Sequence, residues 1–99
     1  MNEDAAKGLA EIDTALGQRP HKDDLALQAA MKALCKYRDV LIAQKRESKS
    51  DEDARRLEHL NGVISIVAGT HYPLKEVPWD TLEKARGWLV ALIGEPVQA

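Results

Sequence analysis

The chain has 99 residues, of which 30% are charged and 44% hydrophobic, and its formal net charge is −2. These values are typical of one soluble globular domain and exclude a larger multidomain protein. The near-neutral charge argues against a dedicated nucleic-acid or membrane-surface protein, because such proteins usually carry a basic excess. Phenylalanine is absent, so leucine, isoleucine, valine and alanine must build the core, which favours helix packing over a sandwich or barrel.

Cys35 is the single cysteine, so no intrachain disulfide can form and no oxidising compartment is indicated. The N-terminal stretch, MNEDAAKGLAEID, opens with acids and lacks the basic and apolar regions of a signal peptide. The longest apolar runs are too short to span a bilayer. We therefore expect a cytoplasmic protein that does not enter a membrane.

The first predicted helix covers residues 4–17. Its apolar stripe is made by Ala5, Leu9, Ile12 and Leu16. Gly8 interrupts this helix and is expected to weaken it by about 1 kcal/mol relative to alanine. Gly17 is placed as a C-terminal stop, and Pro20 lies in the turn that follows.

The second predicted helix, residues 23–48, is the longest element, and the other helices are expected to pack around it. Leu27, Leu34 and Leu41 recur every seven residues, which is a helical pattern and not a strand pattern. A helix of this length is about 40 Å long. It therefore needs equally long partners, either from its own chain or from a second copy.

The third predicted helix covers residues 51–68. Ser50 is placed as its N-cap, and the next three residues, all acids, fill its first turn. Its apolar stripe is made by Ala54, Leu57, Leu60, Ile64 and Val67. Because the link at residues 48–50 is short, the second and third helices are expected to form a long antiparallel hairpin.

The dipeptide Asn61-Gly62 leaves a strand open as an alternative for residues 63–67. It is typical of a type I′ hairpin turn, and a β-branched run follows it. The residues before it do not alternate and supply no partner strand, so the pattern favours a helix that ends at Gly69. In that helix Gly62, Gly69 and either Ser65 or Ile66 lie near one face, where small residues let another helix approach closely.

An extended connector is expected over residues 70–78. Pro73 and Pro78 disfavour helix at the residues that precede them. The last predicted helix covers residues 80–93, and Trp79 precedes its cap in the position of a hydrophobic staple. The core stripe of this helix is made by Leu82, Ala85, Leu89 and Leu92.

A group of basic residues near the turn of the hairpin is the first candidate site. We call it the basic tip, and it comprises Lys45, Arg46, Lys49, Arg55 and Arg56. Phosphate or an acidic partner could dock there. Neighbouring acids largely balance its charge, so a solvated helix end is the simpler interpretation, and no interleaved aromatic residue supports base stacking. A nucleic-acid-associated protein is therefore the alternative hypothesis and not the favoured one.

Three aromatic residues form a second candidate site, for a protein partner: Tyr72, Trp79 and Trp88. A half-exposed tryptophan is a common interface anchor. In a chain without phenylalanine, the two tryptophans are also the largest side chains available to fill the end of the core, which is the simpler interpretation.

No catalytic site, metal site or cofactor is expected. The histidines and Cys35 match no compact zinc motif. Nothing marks a nucleophile elbow or a glycine-rich phosphate loop. A small-molecule pocket lined by Cys35, Tyr37 and Trp88 is supported only by analogy with other helical folds.

The sequence thus predicts one all-α, four-helix bundle-like domain over residues 1–99, built on a long antiparallel hairpin, with a proline-containing connector before the last helix. A long hairpin beside two shorter helices leaves part of its apolar stripe uncovered, and a symmetric homodimer would bury that part. We expect a non-catalytic cytoplasmic adaptor or regulator that binds a protein partner through its helices. Small acidic helical proteins of this style are frequent among bacterial and phage accessory proteins.

Overall fold

The computed structural model describes residues 2–72 and 76–94. Four helices make up this part of the chain: α1 Glu3–Gly17, α2 Asp24–Ser48, α3 Asp51–His71 and α4 Trp79–Gly94. The described residues contain no strand. The prediction of an all-α, four-helix bundle-like fold is confirmed. None of these helices combines the length and the apolar character that crossing a membrane requires.

The helices form a ring in which each one packs against two others. α1 contacts α2, α2 contacts α3, α3 contacts α4, and α4 returns to contact α1. In the described part of the chain, the diagonal pairs α1–α3 and α2–α4 keep their Cα atoms more than 8 Å apart. The molecule measures 42 × 21 × 19 Å. Its length follows from α2, which has 25 residues and spans about 37 Å.

One core fills the centre of the ring, and all four helices contribute buried side chains to it. The largest are Ile12 of α1, Leu27, Leu34 and Leu41 of α2, Leu60, Val63 and Val67 of α3, and Leu82, Leu89 and Leu92 of α4. In α3 the innermost residue of the middle turn is Val63, while Ile64 is only half-buried. The burial of these helical stripes is the main favourable term in the stability of the fold.

Gly8 lies where α1 packs against Leu34 of α2. A Cβ atom at this position would be 2.5 Å from Cδ2 of Leu34 and 2.8 Å from its Cγ. The glycine therefore lets the two helices come together around a fully buried leucine. Gly8 is expected to weaken α1 because of its low helix preference, but it also permits the close packing of α1 against α2.

Lys49 and Ser50 join α2 to α3. Lys49 has a left-handed backbone conformation with φ of 52°, and Ser50 Oγ accepts a hydrogen bond from the N–H of Asp53 at 3.1 Å, which caps α3. At the opposite end of the two helices, the Nε2 atoms of Gln28 and His71 lie 3.1 Å apart. The start of α2 therefore lies beside the end of α3.

α3 ends later than the sequence predicts. The predicted end at residue 68, with Gly69 as the stop, is wrong, because the helix continues to His71. No glycine among the described residues has a positive φ, so Gly69 continues the helix instead of capping it. Tyr72 is extended, with φ of −62° and ψ of 150°, as expected for the residue before Pro73.

The turn between α1 and α2 is tied to this end of α3. Lys22 Nζ donates hydrogen bonds to the carbonyl oxygens of His71 at 2.6 Å and Tyr72 at 2.7 Å. The last carbonyls of a helix have no partner within it, and the helix dipole favours a cation there. Lys22 therefore caps α3 from a neighbouring segment.

Two further predictions from the sequence concern residues 63–67 and the connector before α4. Residues 63–67 lie inside α3, so the strand alternative is wrong for them. Of the connector expected over residues 70–78, Thr70 and His71 belong to α3, and residues 73–75 lie outside the described residues. α4 begins at Trp79, one residue before the predicted start.

Candidate functional site

Trp88 is the most exposed tryptophan of the chain. The core stripe of α4 includes Leu89 and Leu92, and Trp88 lies beside this stripe on the side of α4 that faces α3. Its side chain is 47% exposed. Its ring meets His59 of α3 edge-on, with centroids 6.5 Å apart and planes at 80°. This geometry is favourable for an aromatic pair and fixes the direction of the tryptophan ring.

A shallow recess surrounds this ring on the α3–α4 face. It has a volume of about 260 Å³ and is lined by Arg55, Glu58, His59, Gly62 and Trp88, a set that we call the Trp88 recess. A Cβ atom on Gly62 would lie 3.8 Å from Cζ3 of Trp88, so the indole ring is close to the α3 backbone. Of the small residues expected to admit another helix, Gly62 does face α4, while open space surrounds Gly69.

A second concave surface lies where Lys49 and Ser50 join α2 to α3. We call it the tip groove; its volume is about 620 Å³, and its lining consists of Ile42, Lys45, Arg46, Lys49, Ser50, Asp51, Ala54 and Leu57. The three apolar residues of this set are half-buried, while its three basic residues are exposed. The groove therefore combines an apolar floor with a basic rim.

The lining of the tip groove comes from α2, α3 and the turn between them. Gly8 of α1 lies against Leu34, and α1 begins only five residues earlier, at Glu3, which is about 8 Å along the helix axis. The last two turns of α2 extend beyond that point. No described residue of α1 or α4 lines the groove.

The five residues of the basic tip do not share one surface. Lys45, Arg46 and Lys49 line the tip groove, whereas Arg55 lines the Trp88 recess. Arg56 lines neither cavity and is half-buried. A basic surface therefore exists at this end of the molecule, but it consists of the three residues from α2 and its C-cap.

The three aromatic residues of the second candidate site are also separated. Tyr72 follows the end of α3 and is 66% exposed. Trp79 begins α4 and packs, half-buried, against the core. Tyr72 and Trp79 therefore lie at the end of α3 opposite the tip groove, while Trp88 lies on the middle of the α3–α4 face.

Two exposed or half-exposed apolar residues were not expected as surface features. Leu25, near the start of α2, is 79% exposed, and Ile42 contributes to the floor of the tip groove. Their positions in the sequence indicate this. Leu25 lies two residues before the core leucine Leu27, and Ile42 directly follows the core leucine Leu41, so helical geometry turns both away from the centre of the core.

The histidines and the cysteine do not converge. Cys35 is half-buried, His21 is exposed, and His59 contacts Trp88. Within residues 2–72 and 76–94, no three side chains of the metal-binding types form a cluster. Tyr37 is buried in the core, and neither cavity described above includes it or Cys35, so the proposed pocket with Trp88 does not correspond to either cavity.

Two exposed ion pairs join α1 and the turn that follows it to α4. Arg19 contacts Glu83 at 2.6 Å, and Arg86 contacts Asp13. The hydrogen bond and charge of Asp13 raise the pKa of Arg86. Arginine is charged at every physiological pH, so this pair orients the two helices and performs no proton transfer.

Similarity to known proteins does not identify a function for this chain. No protein-family model, no curated protein and no solved structure matches this chain.

Proposed function

We propose that this chain is a non-catalytic adaptor or regulator of the cytoplasm that acts through protein–protein contacts of its helices, as a homodimer. The observation that supports the proposal best is Trp88, a half-exposed tryptophan held against His59 in a shallow recess. Tryptophan is among the residue types most enriched at interface hot spots.

In this proposal α2 and α3 form the long antiparallel hairpin on which α1 and α4 pack, and an extended connector leads into α4. The dimer contact uses the α3–α4 face around Trp88. In a two-fold dimer the same surface of each copy meets its counterpart, so two Trp88 recesses would face each other across the axis. A shallow recess suits such a contact, because each copy supplies both the protruding ring and the surface that receives it.

The size of the domain supports self-association. A chain of 99 residues buries a smaller fraction of its surface than a larger domain, so additional burial by a partner contributes strongly to its stability. A stable interface buries about 800 Å² on each partner. The α3–α4 face offers helices of 21 and 16 residues for such a contact.

The test is the solution mass of the full chain by light scattering coupled to size exclusion, over a tenfold range of concentration and at low and high salt. We expect a mass twice the 11.0 kDa of one chain, with little effect of salt because the contact is mainly apolar. Trp88→Ala should give a monomer. Val90→Ala is the matched control, since Val90 is also an exposed apolar residue of α4 but lies on the side that faces α1.

A monomeric wild-type chain would contradict the dimer. A dimer that survives Trp88→Ala but is lost in Val90→Ala would place the interface on the other face of α4. Circular dichroism of each variant separates loss of the interface from loss of the fold.

A further inference from the structure

We propose that the tip groove binds an acidic amphipathic helix of a partner protein, with its apolar side chains on the floor and its carboxylates against the rim. This inference rests on the proposed protein-binding function but not on dimerisation. The groove shares no lining residue with the Trp88 recess, so the two surfaces are tested separately.

Charge determines the chemistry of the partner. The rim carries three cations, Lys45, Arg46 and Lys49, and one carboxylate, Asp51. Among the described residues, no ion pair and no side-chain hydrogen bond engages any of these three cations. They are therefore available to an external anion, and the net positive rim favours carboxylates over basic groups.

The floor favours a partner that carries apolar side chains as well as charge. Ile42, Ala54 and Leu57 are half-buried, and Leu57 also packs against the core. Apolar surface of this kind gains free energy when a partner covers it, by about 25 cal/mol for each Å² removed from water. An occupant with apolar side chains uses this surface, whereas a sugar–phosphate backbone does not.

The dimensions favour a helix. On α2 the lining runs from Ile42 to Lys49, which is about 10 Å, or two helical turns. A short amphipathic helix presents apolar residues at positions i, i+3, i+4 and i+7 over that length, which is the usual pattern for a helix held in a groove between two others. Its acidic face would then meet the rim.

Nucleic acid fits this groove less well. No aromatic residue lines it, so bases have no side chain on which to stack. Acids at Glu47, Asp51, Glu52 and Asp53 surround the same end of the molecule and would repel a continuous phosphate chain. A discrete acidic helix can place its few carboxylates at the three cations alone.

The experiment measures binding of a fluorescein-labelled peptide to the full chain by fluorescence anisotropy. The probe is a helix of about 15 residues with leucines at the spacing given above, three glutamates beside the leucines, and glutamine elsewhere. Three further probes serve as controls: the same peptide with lysine for glutamate, the same peptide with serine for leucine, and a labelled single-stranded oligonucleotide. We expect saturable binding of the acidic leucine peptide only, weakening as salt rises.

Matched charge reversals on α2 and its C-cap locate the site. Lys45→Glu with Lys49→Glu should weaken peptide binding by at least about tenfold, because it replaces two attractive contacts with repulsive ones. Lys32→Glu with Lys36→Glu is the control, since these two exposed lysines of α2 are also four residues apart but lie outside the groove. The control variant should bind within about twofold of wild type.

Amide chemical-shift changes in the wild-type chain test the floor without any substitution. They should be largest at Ile42, Ala54 and Leu57. Several results would overturn the proposal: no saturation up to about 1 mM protein, equal weakening by both charge reversals, preferential binding of the oligonucleotide, or shifts centred on Trp88. Light scattering of the same samples reports dimerisation separately, so loss of one function is distinguishable from loss of the other.

Discussion

Gly8→Ala and Gly87→Ala should change the stability of this protein in opposite directions, although both replace a helical glycine with alanine. At Gly8 the new Cβ would lie 2.5 Å from Cδ2 of Leu34 and 2.8 Å from Cγ. Ordinary carbon contacts are about 3.5–4.0 Å, so the overlap is about 1 Å. At Gly87 no atom lies within 4 Å of the new Cβ.

Two terms set the magnitude at Gly8. Alanine is favoured over glycine in a helix by about 1 kcal/mol, whereas forcing an extra methyl group into a packed core costs about 1–3 kcal/mol. Leu34 is fully buried, and one of the two close atoms is its branch carbon, so a rotation of its terminal methyl groups cannot relieve the overlap. The difference between the two terms is a net loss of up to about 2 kcal/mol.

At Gly87 only the helix preference acts. This glycine is exposed on α4, so alanine should raise the free energy of unfolding by about 0.5–1 kcal/mol. Urea denaturation of both variants measures the two changes. In a domain of this size, each kcal/mol corresponds to about 4–8 °C in Tm.

An equal stabilisation by both substitutions would refute the close approach of α1 to α2. A double-mutant cycle gives a sharper test, because Leu34→Ala removes the atoms that Gly8→Ala would meet. The added methyl group should then be tolerated, and the two substitutions should couple by at least about 1 kcal/mol.

Three further substitutions concern caps and ion pairs. Ser50→Ala should lower the free energy of unfolding by about 1 kcal/mol by removing the N-cap of α3, whereas Ser65→Ala, on the exposed middle of that helix, should not lower it; urea denaturation compares them. Lys22→Ala should speed amide hydrogen exchange at the end of α3 and lower stability by about 1–2 kcal/mol, because it removes both hydrogen bonds to the last carbonyls. A double-mutant cycle between Asp13 and Arg86 should give little or no coupling, since both side chains are more than 40% exposed; a strong coupling would contradict the exposed geometry.

The periodic features of the fold were predictable from the sequence alone. Leu27, Leu34 and Leu41 mark a helical stripe that the structure buries, because apolar periodicity depends only on local backbone geometry. The lack of an alternating pattern before Asn61 likewise favoured a helix over a strand for residues 63–67. Asn61-Gly62 favours a turn, but the buried side chains on both sides of it, Leu60 and Val63, stabilise α3 through that dipeptide.

The features that depend on neighbouring segments were not predictable. Propensity alone presents Gly8 as a weak point in α1, whereas its contact with Leu34 shows a close helix crossing. Gly69 resembles a helix stop, but the helix continues until Pro73 prevents a further turn. The outcome at Gly8 depends on its packing partner, and the outcome at Gly69 depends on the next helix-breaking residue. A local sequence pattern contains neither.

The basic tip shows the same limit for a candidate site. Its members are close in sequence, but Ala54 and Arg55 are successive residues of α3 and therefore point about 100° apart around the helix. Ala54 lines the tip groove, and Arg55 lines the Trp88 recess. Lys49 and Ala54 line the same groove, whereas the hairpin prediction placed them together only at the level of the two helices.

The separation of the tip groove from the Trp88 recess leads to a prediction about how the two proposed contacts combine. Because they share no lining residue, a monomeric Trp88→Ala variant should bind the single acidic peptide with unchanged affinity. A wild-type dimer presents two grooves, so a tandem peptide long enough to reach both should bind it more tightly than the single peptide does. The Trp88→Ala variant should show no such gain. Loss of single-peptide binding in that variant would mean that the two surfaces depend on each other, which the arrangement of their residues argues against.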